Sequence, residues 1–213
     1  MIGYILIMRD SLKDSKLTNP SDSKFDLSDL IKAARSQAEG ENVRPVDMWN
    51  PEFCGKMDMV IRADGSWWHE GGMITRKPLV KLFASILRKD EDGKTYLVTP
   101  AEKVEISVER AHFIATGLHV DESYGQKRFF FTTNMDETIE LSQQRPLTVH
   151  TDTKTAEPTP LLQVRGRLEA LLSRAVFYEL IDYAIERDLG EGPQLGLEAD
   201  DMFFPLGPAG IHV

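Results

Sequence analysis

The sequence predicts an α+β protein made of two repeated units, each an antiparallel sheet packed with one main helix. Three observations carry this expectation. A helical pattern is written twice: Leu79, Leu82, Phe83, Ile86 and Leu87 share one helical face, and Phe177, Leu180, Ile181, Ala184 and Ile185 lie 98 positions after them, member by member. Each of these helices is surrounded by short alternating or β-branched runs closed by turn residues, the pattern of antiparallel strands. The chain has 213 residues, 41% hydrophobic and 28% charged, an ordinary globular composition able to build two modest cores. A helix covering one face of an antiparallel sheet gives the α+β class.

The elements follow in order. Arg9 to Lys24 is polar and predicts a loosely attached stretch. Phe25 to Ala38 carries Leu27, Leu30, Ile31 and Ala34 at helical spacing, with Asp26 or Ser28 able to cap it and Gly40 able to end it. Pro45 and Pro51 keep the intervening segment extended. Met57 to Arg62 and Ser66 to His69 form a hairpin around Asp64-Gly65. A helix runs from Arg76 to Arg88 with Thr75 as its N-cap. Strands follow over Lys94–Thr99, Glu102–Val108, His112–Val120, Lys127–Thr132 and Thr138–Leu141. Asp152 to Pro160 reads as a linker. A second hairpin turns at Arg165-Gly166, and a second helix runs from Ser173 to near Arg187. Strands over Gln194–Glu198 and Met202–Pro205 complete the copy. The domains predicted are a tail with an amphipathic helix over residues 1–45, a first unit over 46–145 and a second over 146–213.

Net charge is −9 and the pI is about 5.1, which disfavours duplex nucleic acid as a partner. The charge is uneven. Asp188 to Val213 holds five acids and no Lys or Arg, whereas Lys56 to Lys103 holds nine Lys/Arg against seven Asp/Glu, so the first unit can attract a small anion. A single cysteine, Cys54, excludes an intrachain disulfide and suits a reducing compartment. Met1 to Met8 is apolar but too short to span a bilayer and lacks the basic flank and cleavage site of a secretory signal. Met8 offers a second candidate start. The expected location is the cytoplasm.

Several ordered blocks carry a resemblance. They are Trp49-Asn50-Pro51 with Cys54-Gly55, the run Ile61 to Trp67, and the longer run Arg76 to Arg88. Tyr96 to Lys103, Thr133-Asn134, Ser173 to Tyr178 and Phe203 to Gly207 complete the set. Together they resemble the bacterial domain-of-unknown-function family twelve-eighty-five, over roughly Val46 to Gly207. The resemblance implies a duplicated α+β core whose C-terminal half is pleckstrin-homology-like. It also implies a nucleotide-type ligand between the halves and a part in signal transduction, with no established activity.

Arg76 and Arg174 occupy equivalent places at the first turns of the two helices. Helix starts expose unpaired N–H groups and partial positive charge, and an arginine adds a bidentate donor for phosphate or carboxylate. The plainer alternative is that each arginine pairs with an acid of the opposite unit. Lys77, Lys81 and Lys103 can join an anion site or serve as solvated surface charges. Trp67, Trp68, Tyr96 and Tyr178 can stack on a base. The tryptophans alternate between sheet faces, so one belongs to the core and the other is the better ligand candidate. Asn134 suits either a base edge or a turn. Arg76, Lys77, Lys103, Asn134, Arg174 and Tyr178 are thus the candidate ligand-binding residues. The five histidines lack metal-ligand spacing, and no Gly-rich phosphate loop is present, so no metal, cofactor or catalytic residue is assigned. Three readings remain open: a non-catalytic small-ligand binder, a module that binds a partner peptide, and an enzyme acting on a phosphorylated small molecule through a pair such as Asp58 with Lys103.

Overall fold

The computed structural model describes residues 27–36, 44–123, 125–151, 157–190 and 192–209. The expected polar stretch over residues 9–24 and the first part of the expected linker, residues 152–156, lie outside them. Among the described residues, no helix is long and apolar enough to cross a membrane.

Among the described residues the first elements are helix α1 (Leu27–Ser36) and a single 3₁₀ turn at Val46–Met48. Strands β1 (Phe53–Ile61), β2 (Trp67–His69) and β3 (Gly72–Met73) precede helix α2 (Lys77–Ala84). Strands β4 (Leu87–Lys89), β5 (Thr95–Val98) and β6 (Lys103–Val108) follow it. Then come β7 (Phe113–Asp121), β8 (Arg128–Thr133) and β9 (Thr138–Glu140), and β10 (Leu147–Thr151), β11 (Pro158–Arg165) and β12 (Leu168–Leu172). Helix α3 (Arg174–Ile181) leads to β13 (Ile185–Asp188), β14 (Pro193–Ala199) and β15 (Met202–Pro208).

Two similar units result, each a six-stranded sheet packed with a helix. The sheets run β3-β2-β1-β6-β5-β4 and β10-β11-β12-β7-β8-β9. Each joins two antiparallel triplets through one parallel pair, β1 with β6 and β12 with β7. The sheets are therefore mixed. The parallel seam brings together strands distant in the chain, and this is what a pattern of short strands does not reveal. The second arrangement is compatible with a pleckstrin-homology-like half. Strands β13 to β15 form a third, separate sheet.

The written repeat is physically present. The first residues of α3, β13, β14 and β15 follow those of α2, β4, β5 and β6 by 97, 98, 98 and 99 positions. The sheets divide between Val108 and Phe113, whereas the second copy of triplet, helix and triplet begins at β10. Residue 145, after which the division is expected, lies between β9 and β10, both strands of the second sheet.

Both helices are shorter than their apolar period suggests. Ser85 caps α2, its hydroxyl donating to the Leu82 carbonyl at 2.6 Å. Beyond it, the Ile86 carbonyl accepts from the Val98 amide, and Leu87 pairs with Leu97. Ile86 and Leu87 still reach the core at full burial, Ile86 from the turn after the helix and Leu87 from the strand. The N-cap of α2 is Arg76, not Thr75, and it makes no side-chain cap; Pro78 is tolerated in the first turn, where its missing N–H costs nothing. In α3 the expected cap is Ser173, whose hydroxyl accepts from the Val176 amide at 3.4 Å. That helix ends at Ile181, and Ile185 onward is strand.

One apolar core runs through both units, with Trp67, Phe83, Phe113, Phe129 and Phe131 at its centre. Polar ties cross the join. Arg165 donates to the Ala84 carbonyl at 2.7 Å and to the Glu137 carboxylate at 2.9 Å. A cation at the C-terminal end of α2 also complements its dipole. His112 accepts from the Glu169 amide through Nδ1 at 3.1 Å, so its proton sits on Nε2, which donates to Thr95 Oγ1 at 3.1 Å. Burial, reinforced by nearby Lys89, pushes the His112 pKa down to about 4.

Candidate functional site

The tip of the first hairpin is a wedge between the units. Gly65 has φ +80, and a Cβ there would lie 2.8 Å from both Asn134 Nδ2 and Ile114 Cγ1. Asn134 binds this junction with both ends of its amide: Oδ1 accepts from the Ile114 amide at 3.1 Å, and Nδ2 approaches the Gly65 carbonyl at 3.5 Å. Its side chain is thus engaged with backbone at the join. Glu109 steadies the wedge by accepting from Arg62 at 2.8 Å and from the Ala63 amide at 2.9 Å.

A groove opens on each side of this wedge. The first, of about 380 Å³, lies between Ala63-Asp64 of the turn and the start of α3. Ile114, Leu171 and Phe177 contribute apolar walls, while Arg110, Arg174 and Tyr178 stand at its polar side. Tyr178 is 45% exposed and can offer a ring face. Arg174 makes no ion pair or hydrogen bond among the described residues, so the alternative in which it pairs with an acid of the other unit is not realised there. Asp64 and Glu157 also border the groove. The Ser66 hydroxyl and amide hold the Asp64 carboxyl below its ordinary range, so this wall stays anionic.

The second groove, of about 280 Å³, lies between the other side of the turn and the start of α2. Lys77 and Asn134 line it, with Trp67 and Met135. The six candidate residues therefore divide. Arg174 and Tyr178 share the first groove, and Lys77 and Asn134 share the second. Arg76 is exposed at the N-cap of α2 and borders neither.

Lys103 is placed elsewhere. It donates to Asp90 at 2.6 Å and lies 4.2 Å from the centre of the Tyr96 ring. Arg88 grips the same carboxylate at 2.6 Å and donates to the Val46 and Trp49 carbonyls. Burial raises the Asp90 pKa, but hydrogen bonds from Arg88 and Lys103 outweigh it and hold the group below the usual carboxylate range. The proposed Asp58–Lys103 acid–base pair is not assembled. Lys103 stands opposite Phe53, five residues from Asp58 along β1, a separation of roughly 15 Å by strand rise. Cys54 donates to the Glu52 carbonyl and His69 Nδ1 bonds the Asp58 carbonyl, so neither is engaged with the other. Among the described residues, no three His, Cys, Asp or Glu cluster as a metal site.

Of the tryptophans, Trp67 is core, 1% exposed and stacked on Phe83 at 6.1 Å. Trp68 is half-buried; its Nε1–H donates to Ser66 Oγ at 2.9 Å, and Arg62 covers its ring. Sequence reasoning did not find Arg110 or Asp64, which carry no periodic signal and reach the groove only through folding.

Comparison with known proteins agrees with this architecture. The model of the DUF1285 N-terminal domain, a domain of unknown function, matches residues 44–111. That of the DUF1285 C-terminal domain matches residues 112–206. The boundary between the two falls where the sheets divide. The crystal structure of a DUF1285 family protein from Silicibacter pomeroyi DSS-3 is 37% identical, with a TM-score of 0.74 over 84% of this chain and 95% of the other. A DUF1285 family protein from Shewanella baltica OS155 is 22% identical, with a TM-score of 0.45 over 59% of this chain and 91% of the other. No curated protein matches. With both domain models matched in order across both sheets, the chain belongs to the DUF1285 family.

Proposed function

We propose that this protein is a non-catalytic binder of a small anionic ligand of nucleotide type, held in the groove between the Asp64 turn and the start of α3, with a regulatory role in signal transduction. The observation that carries this reading is the combination in one groove of a free arginine, Arg174, an exposed ring, Tyr178, and apolar walls. Arginine suits a phosphate through paired N–H donors, and a tyrosine face suits a base. The groove lies between two units, a common location for small-molecule sites, and its volume is within the usual range. Asp64, which also borders the groove, favours a ligand that also carries hydrogen-bond donors, as a base or ribose does.

The peptide-binding alternative has less support. Phe204 is buried, and Phe203 lies beneath the Arg187 guanidinium at 4.8 Å, so the apolar strip that a peptide would need at Phe203-Phe204 is covered. The test is a thermal-shift screen with purine and pyrimidine nucleotides at millimolar concentration. A ligand that binds only the folded state raises the melting temperature, and Arg174→Gln and Tyr178→Ala are expected to cut that rise. No shift with any nucleotide rejects the reading.

A further inference from the structure

We propose, resting on the reading of the first groove as a nucleotide site, that the base bound there is guanine, selected by the Asp64 carboxylate through its neighbouring N1–H and 2-amino donors. Asp64 belongs to the turn on one side of the groove, and Arg174 and Tyr178 belong to α3 on the other. Arg174 and Tyr178 are four residues apart in one helix, so they share a face and stand about 6 Å apart along its axis. With phosphate on Arg174 and a base on the Tyr178 ring, the ligand lies along α3. Asp64 then meets a base edge from across the groove.

The carboxylate is held ready for such an edge. Ser66 donates to Oδ1 twice, from its amide at 2.9 Å and from its hydroxyl at 2.6 Å. The same hydroxyl accepts from Trp68 Nε1–H at 2.9 Å, so its own proton is committed to Asp64. These bonds fix the carboxylate and leave Oδ2 with no hydrogen bond from another described residue. Arg62, whose charge also acts on Asp64, is itself held by Glu109 at 2.8 Å. An ionised carboxylate only accepts, so Oδ2 discriminates among bases by their donors. Guanine places two donors side by side, N1–H and the 2-amino group, and both can converge on one oxygen. Adenine and cytosine set one amino group beside a ring-nitrogen lone pair, which a carboxylate repels. Hypoxanthine keeps N1–H but lacks the 2-amino group, and uracil flanks its N3–H with two carbonyls.

The test is calorimetric titration of the full chain with GMP, IMP, AMP and 2′-deoxy-GMP. GMP is expected to bind about tenfold more tightly than IMP, the scale of one hydrogen bond to a charged group, and more tightly still than AMP. 2′-Deoxy-GMP is expected to match GMP, because the carboxylate reads the base and not the ribose. Asp64→Asn leaves an oxygen for Ser66 and puts an N–H donor where Oδ2 stood. It is expected to erase the preference for GMP over IMP while AMP still binds, which also shows that the variant is folded. Arg174→Gln is expected to weaken all four nucleotides alike. Equal affinities for GMP and AMP, with both still weakened by Arg174→Gln, would overturn the choice of guanine and leave the nucleotide groove standing. The same equality with a loss on 2′-deoxy-GMP would assign Asp64 to the ribose and overturn it as well. An unchanged GMP preference in Asp64→Asn would remove Asp64 from the recognition. Binding of none of the four would reject the groove reading and this proposal with it.

Discussion

The two copies of the helix and its following strand triplet share their spacing yet end in different places. In the first copy, β6 pairs with β5 on one side and with β1 on the other, so the triplet is fused into a six-stranded sheet. In the second, β15 pairs with β14 alone and the triplet stands as a separate sheet. The sequences of the last strands explain the difference. β6 reads Lys-Val-Glu-Ile-Ser-Val, in which every residue has an N–H for a ladder. β15 reads Met-Phe-Phe-Pro-Leu-Gly-Pro, and Pro205 and Pro208 cannot donate. Proline favours an edge, and β15 is an edge of its sheet; β12, beside the second helix in sequence, pairs with β7. Helix period and strand count recur in the second copy, while sheet membership differs.

The most severe way to break the comparison is to give the first copy the second copy's proline. Pro205 corresponds to Ser107 at the 98-residue offset. Ser107→Pro is expected to cost about 3 kcal/mol or more, because it removes a donor from an interior strand. The reciprocal Pro205→Ser is expected to stay within about 1 kcal/mol. Denaturant unfolding of both variants measures the contrast, and equal costs would show that strand position does not explain the divergence.

A somewhat smaller effect is expected from pH at the join. His112 has no obvious counterpart in the second copy's own triplet. It titrates near 4 in the folded chain against an ordinary value of 6.5, so the unfolded chain binds the extra proton first. Its contribution is fully favourable above about pH 6.5, falls as pH drops toward 4, and is then lost by up to about 3 kcal/mol. His112→Gln is expected to flatten that part of the stability–pH curve, measured by denaturant melts at pH 7 and pH 4.5. An unaltered slope would place the proton elsewhere.

At the small end lies Arg187, which pairs with Glu198 on the surface of the second triplet. Both side chains are about half exposed, so Arg187→Gln is expected to change stability by less than about 0.5 kcal/mol. A larger loss would mean that the peripheral sheet depends on that pair.

Much of this fold was legible in local chemistry. Asp64-Gly65 and Arg165-Gly166 marked their hairpins, Ser173 marked a helix start, and the alternating runs at Glu102–Val108 and Lys127–Thr132 became strands. β4 and β13 were hidden because Ile86, Leu87 and Ile185 continue the helical phase; pairing with a neighbouring strand ended each helix where period alone would continue it. Pro158 to Pro160 looked like linker but opens β11, where Pro160 is buried. The parallel seams depend on residues about 50 positions apart and leave no local trace. The candidate site was legible only in part. First-turn residues such as Arg174 and Lys77 were visible from helix position, whereas their separation into two grooves depends on where the Gly65 turn lands.

The most direct test of the ligand groove is amide chemical-shift mapping of the full chain during titration with a nucleotide that stabilises it. The account predicts shifts concentrated at residues 63–65, 110–114 and 171–178, where the turn, the start of β7 and the start of α3 meet. Shifts confined to β13–β15, or none at saturating nucleotide, would contradict it.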